Sequence, residues 1–257
     1  MTGNGAHVME GVSVEVADAV ATVSFGSGER LNALGMGQWD DLGRAARELA
    51  SADSVRAVVV RGRGGVFSAG SDLREWEAAD PDEVTQRFWR MEQALRAIED
   101  LPVPTVAVVE GVAAGGGFQL ALACDLQLTA ASARVGMPIS RLGILVPPSF
   151  AARISLRVGP SRAKDLLYGG RILTGKEAHD VGLVTTLAAD GEVDAELGGL
   201  LEAWAGLAQG SLRAAKTAVD RGLQPLIAPV REMPPELATD PEEFPKRVAA
   251  FLHRHGR

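Results

Sequence analysis

Two short apolar runs constrain this chain more than any other feature. "VRAVVVRG" (55–62) and "PTVAVVEG" (104–111) are strand-length, rich in β-branched residues, and each ends in glycine. Runs without polar alternation belong to strands buried on both faces, the pattern of a parallel sheet covered by helices. The intervening segment supplies the crossover, because 81–100 has helical spacing and opens on Pro81 and Asp82. In such sheets ligands sit beyond the carboxyl ends of the strands.

The rest of the first half extends that unit. "VSVEVA" (12–17) and "VATVSF" (20–25), with Asp18 between them, read as a hairpin. "MGQWDDLGRAARELASA" (36–52) carries apolar residues at helical spacing, and "CDLQLTAA" (124–131) reads as a further strand. After Pro147-Pro148, residues 149–254 have few strand signals. The expectation is a βα-rich core to about residue 145, followed by a helical region. At 257 residues the chain can bury a full core as one large domain or a domain with an appendage.

Several function classes are disfavoured at this stage. A net charge of -7 argues against a general nucleic-acid surface. Cys124 is the only cysteine, so there is no internal disulfide and no thiolate metal cluster, and a reducing cytoplasm is the expected compartment. The start "MTGNGAHVMEG" has neither a basic cluster nor an apolar run, and no segment approaches the ~20 apolar residues of a membrane span. Gly62, Gly64 and Phe67 break a dinucleotide fingerprint at its third glycine. "GRILTGKE" (170–177) has P-loop spacing but ends in Glu177, where a hydroxyl should meet magnesium. His7, His179, His253 and His255 have no metal-helix spacing beside a carboxylate. No metal and no separate cofactor are expected.

What remains is a pair of glycine turns, "VFSAGSDL" (66–73) and "EGVAAGGGFQLALACDL" (110–126), each following one of the two apolar strands. The second opens a helix, whose first N–H groups lack intrahelical acceptors and favour negative charge. Two such turns side by side can aim two backbone N–H donors at one carbonyl oxygen, which is an oxyanion hole without side chains.

At this point the sequence resembles the crotonase superfamily, also called the enoyl-CoA hydratase/isomerase family. Matching stretches run nearly end to end: "RLNAL" (30–34), "FSAGSDL" (67–73), "EGVAAGGGFQLALACDL" (110–126), "GRILTGKEAHDVGLV" (170–184) and "VAAFLHRHGR" (248–257). The resemblance implies an α/β fold with a spiral core of ββα units (1–195) holding an acyl-CoA site. A helical C-terminal region (196–257) follows, of the kind that builds trimers, often paired into hexamers. It implies an acyl-CoA substrate, with coenzyme A as part of that substrate, and no nucleic-acid or membrane partner.

Roles follow residue by residue from the same resemblance. The oxyanion-hole amides fall on Ser71 and Gly116, where glycine permits close backbone approach and positive φ. Asp72 matches a common family aspartate with a structural role. Arg30, Ala33 with Leu34, Arg74, Phe251 and Arg254 match positions that contact coenzyme A. Trp76 and Trp89 lie in the 75–92 segment that lines acyl pockets in the family, together with Glu75, Arg87, Phe88, Arg90, Met91 and Glu92. Arg87, Phe88 and Met91 share one helical side, with Trp89 further round.

One departure is more informative than the matches. Family hydratases use two glutamates to position and deprotonate water and to deliver a proton. Here those positions hold Gln119 and Ile139, in "GMPISRLGILVPP" (136–148). An amide forms hydrogen bonds but is no general base, and isoleucine does neither. Arg141, beside Ser140, adjoins the altered position and is a candidate pocket residue. The expected chemistry is therefore an oxyanion-stabilised thioester enolate formed without the usual dyad, with decarboxylation or isomerisation favoured. The alternatives are a true hydratase with displaced acid/base residues and a non-catalytic acyl-CoA-binding homologue.

Overall fold

A computed structural model describes residues 7–9, 11–77, 79–232 and 239–255. The N-terminal residues 1–6 and the last two residues of the 248–257 stretch lie outside the described residues, as do the side chains of His7 and His255.

The first strands form an antiparallel ribbon, β1 (His7–Met9), β2 (Val12–Ala17) and β3 (Val20–Phe25). Asp18 and Ala19, both at positive φ, make the two-residue turn between β2 and β3. Such a mirror-image turn matches the right-handed twist of paired strands. Chain crossovers through α1 (Met36–Ala50) and α2 (Pro81–Glu99) then bring β4 (Ala57–Gly62) and β5 (Thr105–Val109) in parallel beside β3. Every residue of β5 is buried, as are Ala57 to Val60 of β4. The apolar runs therefore lie inside a two-sided sheet.

The next elements are β6 (Val112–Ala114), α3 (Gly116–Ala123), β7 (Leu126–Ala130) and β8 (Arg134–Gly136). Then come α4 (Pro148–Val158), α5 (Pro160–Gly169), β9 (Ile172–Thr174), α6 (Gly175–Asp180) and β10 (Thr186–Ala188). The helices α7 (Val193–Ala205), α8 (Gln209–Glu232) and α9 (Glu243–His255) close the chain. The main sheet has the order β1-β2-β3-β4-β5-β7-β10, and β6-β8-β9 form a three-stranded sheet beside it.

The expected, mostly helical region after residue 145 also contributes two short strands. β9 pairs antiparallel with β8, and β10 extends the main sheet in parallel beside β7. Each strand has only three residues, too short for a periodic signal to emerge against flanking helices. The same region explains the apparent phosphate loop. Gly170 is the left-handed cap ending α5, and Thr174 and Glu177 form the capping box that opens α6. Glu177 stands where it does to satisfy backbone N–H groups, and those bonds hold its carboxyl below the usual range.

Helix α9 folds back on its own chain. Asp240 N–H donates to Gly143 O (2.9 Å), and the Phe244 ring lies 6.2 Å from that of Trp76. Among the described residues no helix is long and apolar enough to cross a membrane.

Candidate active site

The two glycine turns follow β4 and β5 and meet beyond their carboxyl ends. One bond decides the first of them. Leu34 N–H donates to Gly70 O (2.7 Å), and Asp72 N–H returns a bond to Leu34 O (2.9 Å). In a trans peptide the carbonyl and the following N–H point in opposite directions. The Gly70 carbonyl faces Leu34, so the Ser71 N–H faces away from it, unengaged by any backbone carbonyl.

The second turn works differently. Gly115 sits at φ 53, ψ -122, a region open in practice only to glycine. Its N–H donates to Gly136 O (3.0 Å), and its carbonyl accepts from Gln119 N–H (3.1 Å). Gly116 then begins α3, with an N–H that has no intrahelical acceptor. The expectation of positive φ at Gly116 is corrected here, because that conformation belongs to Gly115. Close approach does hold at Gly116. A Cβ there would lie 2.9 Å from Met91 Sδ, 3.0 Å from Trp39 Cζ2 and 3.4 Å from Ser71 Oγ. A Cβ on Gly70 would lie 3.1 Å from Gly116 N, so the two turns are in direct contact. They present two unengaged N–H groups side by side, suited to one oxygen that gains negative charge.

The segment that sets this geometry carries a signal overlooked in the sequence. Arg30, Leu31 and Asn32 are all at positive φ (47°, 54° and 52°), at a cost of roughly 1–2 kcal/mol per residue. Asn32, 1% exposed, holds the turn with its amide. Its Nδ2 donates to Arg63 O (2.8 Å) and Val66 O (2.7 Å), and its Oδ1 accepts from Gly28 N–H (2.8 Å). Asparagine tolerates the left-handed region and bonds locally to backbone, which was the available cue. Asn32 thus delivers Leu34 to Gly70.

Gln119 lies one turn along α3, fully buried. Its Nε2 donates to Met137 Sδ (3.1 Å) and more distantly to Phe150 O (3.4 Å), while Oε1 has no partner. Ile139, 6% exposed, is two residues beyond Met137, so both altered positions are buried. An aromatic wall adjoins Gln119. Trp76 meets Phe88 edge to face at 5.0 Å, and Phe88 lies 6.0 Å from Phe150.

Neither candidate replacement acid is free. Glu75 Oε2 accepts from Met36 N–H (3.0 Å) at the start of α1, where a carboxylate is favoured by the helix dipole. Glu92 is buried in a bidentate pair with Arg153 (2.9 and 3.0 Å), and Arg153 also binds Glu99 (2.6 Å). Burial alone would lower the Arg153 guanidinium, but Glu99 and Glu92 outweigh it and hold it above its ordinary value.

Two pocket assignments are corrected. Trp89 is 38% exposed with the Arg96 guanidinium 5.1 Å above its ring, on the outer side of α2. Its helical position, one residue past buried Phe88, turns it away from Ser71 and Gly116. Arg141 is exposed, and its Nε lies 3.2 Å from where a Gly170 Cβ would be, so it runs along the α5 cap.

The expected coenzyme contacts divide into two groups. Arg30 pairs with Asp72, whose Oδ1 also accepts from Arg74 N–H (3.2 Å), and half-buried Ala33 lies in the same rim beside Ser71. Arg90, from the pocket-lining segment, is exposed and paired with Asp40. Phe251 and Arg254 lie at the far end of α9, and Arg254 Nε donates to Ala250 O (3.2 Å) within that helix. It is Phe244 that reaches Trp76. A separate cavity of about 590 Å³ lies at the other end of α3, bounded by Leu122, Arg153, Leu156, Lys216, Leu223 and Ile227. No group of three or more metal-ligating side chains occurs among the described residues.

Comparison with known proteins gives the relatives of this chain. The family model for enoyl-CoA hydratase/isomerase matches residues 15–244. Human mitochondrial methylglutaconyl-CoA hydratase is 37% identical over 188 residues, 71% of this chain and 56% of that protein. A probable enoyl-CoA hydratase of Bacillus subtilis is 34% identical over 185 residues, 71% of this chain and 70% of that protein. The chain thus spans less than two-thirds of the mammalian methylglutaconyl-CoA hydratases it matches, 56% of the human and 63% of the mouse protein. Among solved structures, an enoyl-CoA hydratase from Mycobacterium avium subsp. paratuberculosis K-10 superposes with a TM-score of 0.85 at 26% identity, covering 95% of this chain and 96% of that one. An enoyl-CoA hydratase/carnithine racemase from Magnetospirillum magneticum gives 0.82 at 28% identity, covering 96% and 94%.

Proposed function

The chain belongs to the enoyl-CoA hydratase/isomerase family, and from that membership we propose that it acts on an acyl-CoA thioester through an enolate, without the hydratase pair of carboxylates. The observation that carries this reading is a combination. Two unengaged N–H groups, on Ser71 and Gly116, adjoin a wall of Gln119, Met137, Ile139 and Met91 that offers no free carboxylate. Glu75 is bound to a helix start, and Glu92 is bound to Arg153.

Decarboxylation needs no base. The bond from the α-carbon to a substrate carboxylate breaks, its electron pair enters the enolate, and charge gathers on the thioester oxygen. The two N–H groups hold that charge, CO₂ leaves, and solvent delivers a proton to the α-carbon. Each oxyanion donor is worth about 3–4 kcal/mol to such a transition state. Double-bond isomerisation uses the same enolate but also needs a proton shuttle.

A second reading is hydration, the activity in the names of the curated relatives. One observation favours it: Gln119 Oε1 is a buried, unpaired acceptor suited to orient water. It cannot remove that water's proton. Support for assembly as a trimer or hexamer comes from α8, where Val219 and Leu226 are 61% and 64% exposed. The reading keeps the protein in the cytoplasm and assigns it no separate cofactor.

The test is a mass-spectrometric screen of acyl-CoAs with the purified protein, malonyl types and enoyl types together. The expected result is CO₂ loss or a shifted double bond, with crotonyl-CoA unhydrated. Hydration of crotonyl-CoA at hydratase-like rates overturns the first reading in favour of the second.

A further inference from the structure

Five buried side-chain atoms among the described residues have no hydrogen-bond partner in the protein: Trp39 Nε1, Trp76 Nε1, Gln119 Oε1, Gln127 Oε1 and Thr129 Oγ1. Three of the five belong to residues that frame the Ser71 and Gly116 turns. Leaving a buried donor unpaired costs folding free energy, and such groups persist where a function uses them.

Trp39 is the best placed of the three. It is 0% exposed, and its Cζ2 lies 3.0 Å from the position a Gly116 Cβ would occupy. Cζ2 and Nε1 are bonded to the same ring carbon, which puts the unpaired N–H on the part of the indole that crowds Gly116. The ring has little freedom to turn away. Helix α1 is held at its start by Gln38 Oε1 on Gly35 N–H (3.1 Å) and by Glu75 on Met36 N–H (3.0 Å). Beside Trp39, Asp40 is clamped to Arg90 of α2. Close to Gly116 on the same side is Met91 Sδ, a weak acceptor already approached by Ser71 Oγ at 3.4 Å.

We propose that Trp39 Nε1–H is a specificity-determining donor for acyl groups that carry an oxygen on the β-carbon, a carboxylate or a ketone. The inference rests on the thioester seat proposed at Ser71 and Gly116. With the thioester oxygen on those two amides, the α-carbon lies against Gly116 and the β-carbon is the next atom outward. A donor carried on the ring that crowds Gly116 is placed to meet a substituent there before any more distant part of the chain. A plain alkyl acyl group would leave this N–H unpaired, and a β-oxygen would satisfy it. For a β-carboxylate the consequence is chemical as well. A neutral indole N–H beside a thioether solvates the anion less well than water does, and loss of CO₂ relieves that.

Calorimetry with acetoacetyl-CoA and butyryl-CoA, which differ by a ketone in place of a methylene, tests the assignment; malonyl-CoA is a third arm followed by its KM. Trp39 is replaced by 3-benzothienylalanine, which keeps the ring shape and removes the N–H, with Trp39→Phe as the simpler variant. The expected result is a roughly 5- to 30-fold weaker affinity for one or both β-oxygen ligands, with butyryl-CoA unchanged. Loss for only one of them assigns the site to that oxygen, ketone or carboxylate. An equal fall for all three ligands, or none, overturns the proposal. A selective loss without CO₂ release leaves this assignment standing while the decarboxylation reading fails. CO₂ release with both β-oxygen affinities untouched in the benzothienyl variant does the reverse, and absence of any acyl-CoA binding overturns both.

Discussion

Replacing Gly116 by alanine separates catalysis from folding. The position has ordinary helical backbone, so alanine carries no conformational penalty, and the whole effect arises from one added methyl group. That Cβ would lie 2.9 Å from Met91 Sδ and 3.0 Å from Trp39 Cζ2. Carbon contacts are comfortable at about 3.5–4.0 Å, so each neighbour is too near by roughly 0.5–1 Å. Met91 has three rotatable bonds and gives way. Trp39 is fully buried and does not, so the displacement passes to the first turn of α3 and to the Gly116 N–H. A shift of that size takes the donor out of the 2.7–3.1 Å range it needs, which costs about 10²–10³ in kcat. Overpacking costs about 1–3 kcal/mol of stability, a fall in Tm of roughly 2–12 °C for a chain of this size. Gly117→Ala is the contrasting variant, because its Cβ would lie 2.5 Å from the backbone oxygen of Ser68, which cannot rotate aside. It should lose the fold before it loses the chemistry. The assays are thermal unfolding, turnover of the best substrate, and calorimetry with acyl-CoA against free coenzyme A. A folded Gly116→Ala protein within about threefold of full activity refutes the reasoning, as does an equal loss of affinity for free coenzyme A.

Three further outcomes follow from other parts of the structure. Arg153→Met takes the bidentate partner from buried Glu92, leaving it with Arg96, and one partner from half-buried Glu99, and should cost about 3 kcal/mol in urea unfolding; Glu92→Leu added to it should recover part of that loss. Asp240 accepts from Glu242 and Glu243 N–H at the start of α9, and those bonds lower its carboxyl from the ordinary 3.8. Its contribution is present above that value and lost as pH falls through the lowered one, so Asp240→Asn should be less stable at pH 6 and converge with the parent near pH 2 in thermal scans. Gln119→Glu with Ile139→Glu restores the carboxylate positions and should raise crotonyl-CoA hydration by about 10²-fold or more; a folded double variant without any gain shows that the two positions do not face the substrate.

The legible parts of the sequence were those where one physical cause dominates. "AVVV" and "TVAVV" are buried strands because nothing polar interrupts them. Pro81 and Asp82 mark the start of α2 in the sequence, and the structure adds a capping box of Asp80 and Glu83 there. The two glycine turns were placed by their position after those strands. Less legible features depend on contacts between distant segments. The direction of the Ser71 N–H is decided by Leu34, and the turn at Arg30 to Asn32 is held by carbonyls from residues 63 to 67. Helical spacing put Trp89 further round than Phe88 but did not say which face was outer; packing against α1 and α3 decided it. Glu75 and Glu92 looked available because their partners, Met36 N–H and Arg153, lie 39 and 61 residues away. Trp39 reads in sequence as one apolar residue of a helix, although its Cζ2 lies 3.0 Å from the place a Gly116 Cβ would take.

The proposed chemistry turns on a thioester enolate made at Ser71 and Gly116 without a carboxylate base. Malonyl-type acyl-CoA incubated with the protein in deuterated water tests it most directly, with the product read by mass spectrometry. The expected result is release of CO₂ and a product carrying one deuterium on the α-carbon, abolished together in Gly116→Ala. Intact malonyl thioester beside crotonyl-CoA that gains the mass of water contradicts it.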